Sequence, residues 1–136
     1  MATGTIRTGV YGHLIDDNTT SPLYYDLDGE KLYYVEAPEN PGTPYCVFYI
    51  FEQLPERTFD LEFEHVFVQF NYYGKTANEC DDGVIDLIAL YDYANLTVSG
   101  YSALEMERDM IMPSIKIEPD DVYEAIVRYT LLIQKD

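Results

Sequence analysis

The sequence predicts an α+β domain: a mainly antiparallel sheet of long strands, two helices on one face, and a projecting hairpin or arm. Three observations carry this. Phe59 to Tyr73 alternates in polarity and is rich in aromatics and valine, as a half-buried strand is; Val66, Val68, Phe70 and Tyr72 point one way. After Gly74 the apolar period becomes helical, with Cys80, Val84, Leu87, Ile88 and Tyr91 on one stripe. Val122 to Gln134 alternates again, with Tyr123, Ala125, Val127, Tyr129, Leu131 and Ile133 on one face and Glu124, Arg128, Thr130 and Gln134 on the other.

The remaining elements follow in order. Residues 3–15 space Ile6, Val10 and Leu14 by four, but Gly4, Gly9 and Gly12 each weaken a helix by about 1 kcal/mol relative to alanine, so this helix has to depend on docking. Asp16-Asp17-Asn18 end it, and a polar loop runs to Pro22. Leu23 to Val35 reads as a hairpin, two tyrosine-rich runs around the turn signal Asp28-Gly29. Glu36 to Pro44 holds three prolines, so it is neither helix nor central strand but an ordered loop or arm. Tyr45 to Phe51 is apolar on both faces, which places it inside the sheet and buried on both sides. Glu52 to Arg57 turns the chain. Thr76 and Glu79 form a capping box at the start of the later helix. Asn95 to Gly100 is a short strand or turn. Ala103 to Met112 reads as a strand with Leu104, Met106, Arg108, Met110 and Met112 on one face and Glu105, Glu107 and Asp109 on a wet, acidic one. Pro113 and Pro119 bracket an acidic connection.

Length suggests a single domain over residues 1–136. The formal net charge of −17 argues against binding a phosphate backbone, because few cations are available to displace counterions. It fits a solvated acidic surface, or a basic partner. Cys46 and Cys80 lack metal-ligand spacing and read as two buried free thiols in a reducing compartment. The first residues show no secretory segment and no run reaches the length of a membrane span, so a cytoplasmic product is expected.

No phosphate loop, dinucleotide fingerprint, nucleophile elbow or zinc-helix motif occurs, and no cofactor or metal is expected. His65 lies mid-strand with no nucleophile tied to it, so a partly buried or interface histidine is preferred to a general base. Asp26 to Glu30 has part of a calcium loop's acids but not its full ligand set; a turn explains it. Asp82 and Asp86 lie four apart on the helix, where a solvated face suffices; Asp81 and Asp82 suit its positive end. The Tyr24-Tyr25 and Tyr33-Tyr34 pairs put one ring on each face of the expected hairpin, for packing within the chain or against a neighbour.

The segment K-L-Y-Y-V-E-A-P-E-N-P-G-T-P-Y-C-V-F-Y-I-F resembles the signature of the tail-completion, or tail terminator, proteins of long-tailed bacteriophages. The matching positions are Leu32 to Tyr34, Ala37-Pro38 and Pro44 to Phe48; the strand to Tyr73, the helix start Lys75-Thr76-Ala77 and the closing strand extend the resemblance over nearly the whole chain. The resemblance implies a structural, non-enzymatic virion protein of the tail or neck, made in the host cytoplasm. It implies a homo-hexameric ring that stops the tail tube, meets the tail tube protein and the head-tail connector or stopper protein, and lets genomic DNA pass without specific binding. No membrane is involved. Tyr33, Tyr34, Ala37, Pro38, Pro41, Pro44 and Tyr45 are then the expected ring contacts, on an arm over about 23–44, and Glu105, Glu107 and Asp109 the expected lumen-facing acids. The competing readings are a neck connector or stopper, and a small acidic inhibitor that mimics DNA charge.

Overall fold

The structure, a computed structural model, describes residues 3–16, 22–52, 56–58, 61–103, 105–117 and 121–135. The expectations for residues 17–21, 53–55, 59–60 and 118–120, and for Leu104, lie outside the described residues. The chain runs α1 (Thr3–Asp16), α2 (Pro22–Asp26), β1 (Leu32–Tyr34), β2 (Tyr45–Glu52), β3 (Glu56–Thr58), β4 (Leu61–Gly74), α3 (Ala77–Tyr91), β5 (Tyr101–Ala103), β6 (Glu107–Ile117) and β7 (Val122–Lys135).

One seven-stranded sheet holds every strand among the described residues, in the order β1-β2-β4-β7-β5, with β3 added beside β4 and β6 beside β7. All ladders are antiparallel except that of β1 with β2. The spine is β4 against β7, in register from Phe63↔Gln134 to Gly74↔Tyr123. Cross-strand partners share a face. Val66, Val68, Phe70 and Tyr72 therefore join Ala125, Val127, Tyr129, Leu131 and Ile133 on one side, all buried, as the alternation predicts.

Among the described residues three helices, where the sequence predicts two, cover that face. Ile6, Val10 and Leu14 of α1, Leu23 of α2, and Cys80, Val84, Leu87 and Tyr91 of α3 form one buried cluster with the sheet. Each fully buried aliphatic or aromatic side chain here contributes about 1.5–3 kcal/mol. At the centre, the Phe70 ring lies 4.7 Å from Tyr91, 6.0 Å from Phe48 and 5.9 Å edge-on from Tyr129. The helix starts as its sequence requires: Thr76 accepts from the Glu79 amide at 3.1 Å, while the Glu79 carboxylate accepts from the Lys75 amide at 3.1 Å, one residue before the position an ideal capping box would use.

The glycines that weaken the helices permit their docking. A Cβ on Gly83 would sit 2.0 Å from the Tyr72 ring, and one on Gly9 would sit 2.6 Å from the Thr97 carbonyl oxygen. So α3 lies against β4, and α1 against the 94–98 segment, closer than any side chain allows. Tyr91 then donates its hydroxyl to the Val10 carbonyl at 2.7 Å, fixing α1 from below. Residues 95–100, expected as strand or turn, form no strand but end in a turn, with the Tyr101 amide on the Val98 carbonyl at 3.0 Å; Leu96 and Val98 are buried.

Two expectations are overturned. Leu23 to Val35 is not a hairpin. Pro22–Asp26 is helical, and the Gly29 amide bonds to the Tyr24 carbonyl at 2.7 Å while Asp28 bonds to Tyr25 at 3.1 Å, the double bond that closes a helix with a left-handed residue. Asp28 is that residue, at φ +52°. An Asp-Gly pair serves either a tight hairpin or a helix end, and packing of Leu23 and Leu27 into the core selects the second. The strand over 103–112 is also broken. Tyr101–Ala103 pairs with the far end of β7, Met106 is buried by bonds linking it to Tyr93 and Ala94, and β6 begins at Glu107 and runs through Pro113 to Ile117. A bulge at Asp109 then shifts the alternation: Arg108 pairs with Tyr129 on the helix side, and Glu107 and Met110 lie on the open side with Thr130 and Arg128.

Packing α2 on α3 brings Asp26 against Asp86. Partial burial, then the hydrogen bond with Asp86, then the charges of Asp86, Asp82 and Glu79, raise the Asp26 carboxyl from 3.8 to about 7. The folded chain holds this proton more tightly than the unfolded chain. The stability tied to it is fully present below pH 3.8 and is lost as pH rises through about 7.

Two outcomes follow from this packing. Gly83→Ala is expected to lose about 2–3 kcal/mol in urea unfolding, from forced overlap with Tyr72, whereas Gly12→Ala, with open space at its Cβ, gains up to about 1 kcal/mol. Asp26→Asn is expected to raise the melting temperature by about 3 °C at pH 8, a figure already reduced for solvent screening, with the gain vanishing near pH 4; calorimetry at both values checks it.

Candidate functional site

The helices leave the sheet's other face bare among the described residues, and leave unlike strands at its two edges. Those surfaces are where this chain can act on something else.

The first edge is β1. Leu32, Tyr33 and Tyr34 pair in parallel with Cys46, Val47 and Phe48, and on the other side meet no strand among the described residues. The predicted contact residues gather here. Tyr33 is on the open face, its ring 6.5 Å from Tyr45, which stacks on Tyr73 at 4.7 Å. Tyr34 turns to the helix side against Phe48 at 5.2 Å. The two rings thus do take opposite faces, but on a sheet strand and not on a hairpin. Ala37, Pro38, Pro41 and Pro44 lie in the 35–44 connection, with a cis bond at Thr43-Pro44. Its proline content serves a purpose the sequence did not disclose. Parallel neighbours need the chain carried back to the starting end, and this segment does that without a helix. Val35 opens it at φ +68°, a strained value for a β-branched residue, held by its amide on Phe48 and by a tight Glu36-to-Tyr34 turn. Beside β1, under α1, is an open groove of about 660 Å³, lined among others by Arg7, Tyr11, Ile15, Leu32, Tyr34 and Phe48. Arg7 stands 5.3 Å over the Tyr34 ring.

The second edge is β6, paired with β7 alone among the described residues. It is nearly bare on both faces. Ile111 and Met112 are each 42% exposed and Ile115 is 50% exposed. Glu105, Glu107 and Asp109 are all exposed: Glu105 precedes the strand, while Glu107 pairs with Thr130 on the open side and Asp109, the bulged residue, accepts a close hydrogen bond from the same Thr130 hydroxyl. Behind them Asp92 accepts from the Tyr129 hydroxyl at 2.7 Å and pairs with Arg108 at 3.4 Å, which ties β6 to the end of α3.

Between the edges runs the open face. Arg128 donates to Gln69 at 2.9 Å, Gln69 to Asn71 at 3.0 Å, and Asn71 to Glu124 at 3.3 Å. This polar ribbon crosses a surface of half-buried Tyr45, Tyr49, Phe67 and Tyr73 with Phe51, which is 48% exposed. β2 is therefore interior to the sheet, as expected, but buried on both sides only at Cys46, Val47 and Phe48.

His13 sits by the Leu90 carbonyl at 3.2 Å, and His65 is half-buried across from Leu132. Cys46 and Cys80 are buried free thiols, and burial pushes Cys80 up to about 11. Among the described residues no group of three or more acids, histidines or cysteines is placed to hold a metal, and no helix is long and apolar enough to cross a membrane. Asp86 meets Asp26, sixty positions away in the sequence, a pairing that no local pattern signals.

No protein-family model matches the chain, and no curated protein does. Solved structures do. A chain of the "Virion of native gene transfer agent (GTA) particle" superposes with a TM-score of 0.79 at 12% identity, over 98% of this chain and 97% of that one. A second solved structure, carrying no functional description, superposes with a TM-score of 0.63 at 11% identity, over 100% of this chain and 96% of that one. At such identities the likeness establishes the fold: this α+β arrangement, end to end, is one that a virion chain also adopts.

Proposed function

We propose that this chain is a structural protein of a phage-like virion that works by assembling with copies of itself. The end-to-end match to a chain of a gene transfer agent virion carries the reading.

In the finer form of the proposal, six copies close into a ring at the head-proximal end of the tail tube. The ring stops tube growth and presents a surface to the head-tail connector or stopper protein. Genomic DNA passes through the opening. Two features support this. A closed ring needs a patch on each copy that fits a different patch on the next, and the sheet has two unlike edges. A conduit for DNA needs walls that do not hold phosphate, and −17 per copy supplies them, with Glu105, Glu107 and Asp109 as exposed contributors.

Electron microscopy of particles assembled without this chain is the test. Tubes of uncontrolled length beside unattached heads are expected. Tubes of normal length joined to filled heads contradict the proposal.

A further inference from the structure

We propose that successive copies join edge to edge, the Met110–Met112 run of β6 pairing with β1 (Leu32–Tyr34) of the next copy, so that one copy's sheet continues into its neighbour's. The inference rests on the self-assembly reading above and names the surfaces that carry it.

Four observations converge on this pairing. First, lengths match. β6 is interrupted between Arg108 and Met110 and again between Met112 and Ile115, which leaves Met110–Met112 as its regular run in the middle; β1 is also three residues long. Second, side chains match. A strand laid along β1 sends alternate side chains toward the groove under α1 and toward the open face. β6 has Ile111 on the helix side, to enter the groove beside Tyr11 and Ile15, and Met110 and Met112 on the open side, to meet Tyr33. Main-chain bonds to a strand edge, with a pocket for alternate side chains, are the ordinary means of β-strand addition.

Third, charge permits it. Copies of a chain with net charge −17 repel each other. The run Met110 to Ile117 holds no acid and one lysine, and among the described residues the groove is lined by one cation, Arg7, and one acid, Glu36. These two surfaces can approach without setting acid upon acid. Fourth, the exposure of β6 calls for a cover. A long apolar edge strand invites uncontrolled association unless something occupies or blunts it. Here the bulges and Pro113 break the edge into short pieces, which disfavours β6 pairing with a second β6 along its length. Of the two regular three-residue pieces, Met110–Met112 is the one that matches β1 in side chains, with Ile111 toward the groove and no charged residue. Because the two edges differ, the contact is head-to-tail and propagates around a ring.

Cross-linking between singly labelled copies tests the pairing. Tyr33→Cys and Met112→Cys are made separately, mixed in the assembled state, and treated with a short bifunctional maleimide. The buried native thiols Cys46 and Cys80 stay unlabelled in any variant that has folded, which checks folding in the same reaction. The expected result is a covalent product in the mixture, lost when either variant is treated alone. A second pair, Tyr11→Cys with Ile111→Cys, reads the groove side of the same contact. Oligomers that form without either cross-link, or that link Met112→Cys to itself, overturn the edge pairing and leave the assembly proposal standing. A chain that forms no oligomer under any condition overturns both.

Discussion

The packing around Phe70 is the constraint on which the rest of the molecule depends. That ring touches Phe48 on β2, Tyr129 on β7 and Tyr91 on α3, so one side chain joins three strands and a helix. Two of its neighbours then reach outward. The Tyr91 hydroxyl holds Val10 and with it α1, one wall of the groove beside β1. The Tyr129 hydroxyl holds Asp92, which pairs with Arg108 at the head of β6. Both sheet edges are thus oriented from one buried cluster. Burying polar hydroxyls is costly unless they bond, and here each bond also fixes an element that faces out.

The open face shows the same economy of means. A sheet covered by helices on one side and uncovered on the other would present a wide apolar surface. The Arg128–Gln69–Asn71–Glu124 ribbon divides it. Apolar area then concentrates at the edges, at Phe51 and along Ile111, Met112 and Ile115. Exposed apolar patches of this kind mark interaction surfaces more often than they mark chance. The tyrosine-rich composition finds its use in this arrangement, with rings half-buried on the open face and hydroxyls bonded inside.

Much of this was legible in the sequence. The alternation of β4 and β7 and the stripe of α3 are strong periodic signals, and the residues they place on the inner face are buried, except that Ile88 and Tyr123 are half-buried. The helix expected over 3–15 despite its glycines is present, and it is docked on the core through Ile6, Val10 and Leu14. What failed had a physical reason in each case. Asp28-Gly29 supplies left-handed residues, and both a hairpin turn and a helix end use them, so local chemistry alone could not separate the two. A bulge at Asp109 moves Met110 to Met112 to the opposite face, until a second irregularity before Ile115 restores the alternation, and nothing in the pattern of 103–112 marks it. The parallel pairing of β1 with β2 is decided by tertiary contacts, which also recast the proline-rich arm as a crossover. The tyrosines and prolines singled out as contacts lie in β1, at the start of β2 and in the connection between them, whereas Ala103 to Met112 reads in the sequence as a strand with one apolar face and one wet, acidic face. The proline and the acids of β6 hid an exposed apolar run.

The central claim is that this chain acts through copies of itself, joined at sheet edges against a net repulsion. Sedimentation at rising ionic strength tests it most directly, because salt screens the repulsion between acidic copies but leaves apolar and main-chain pairing in place. The account predicts a single closed species of defined mass that gains population as salt is added. A monomer at every salt and protein concentration, or an open series of ever larger species, would contradict it.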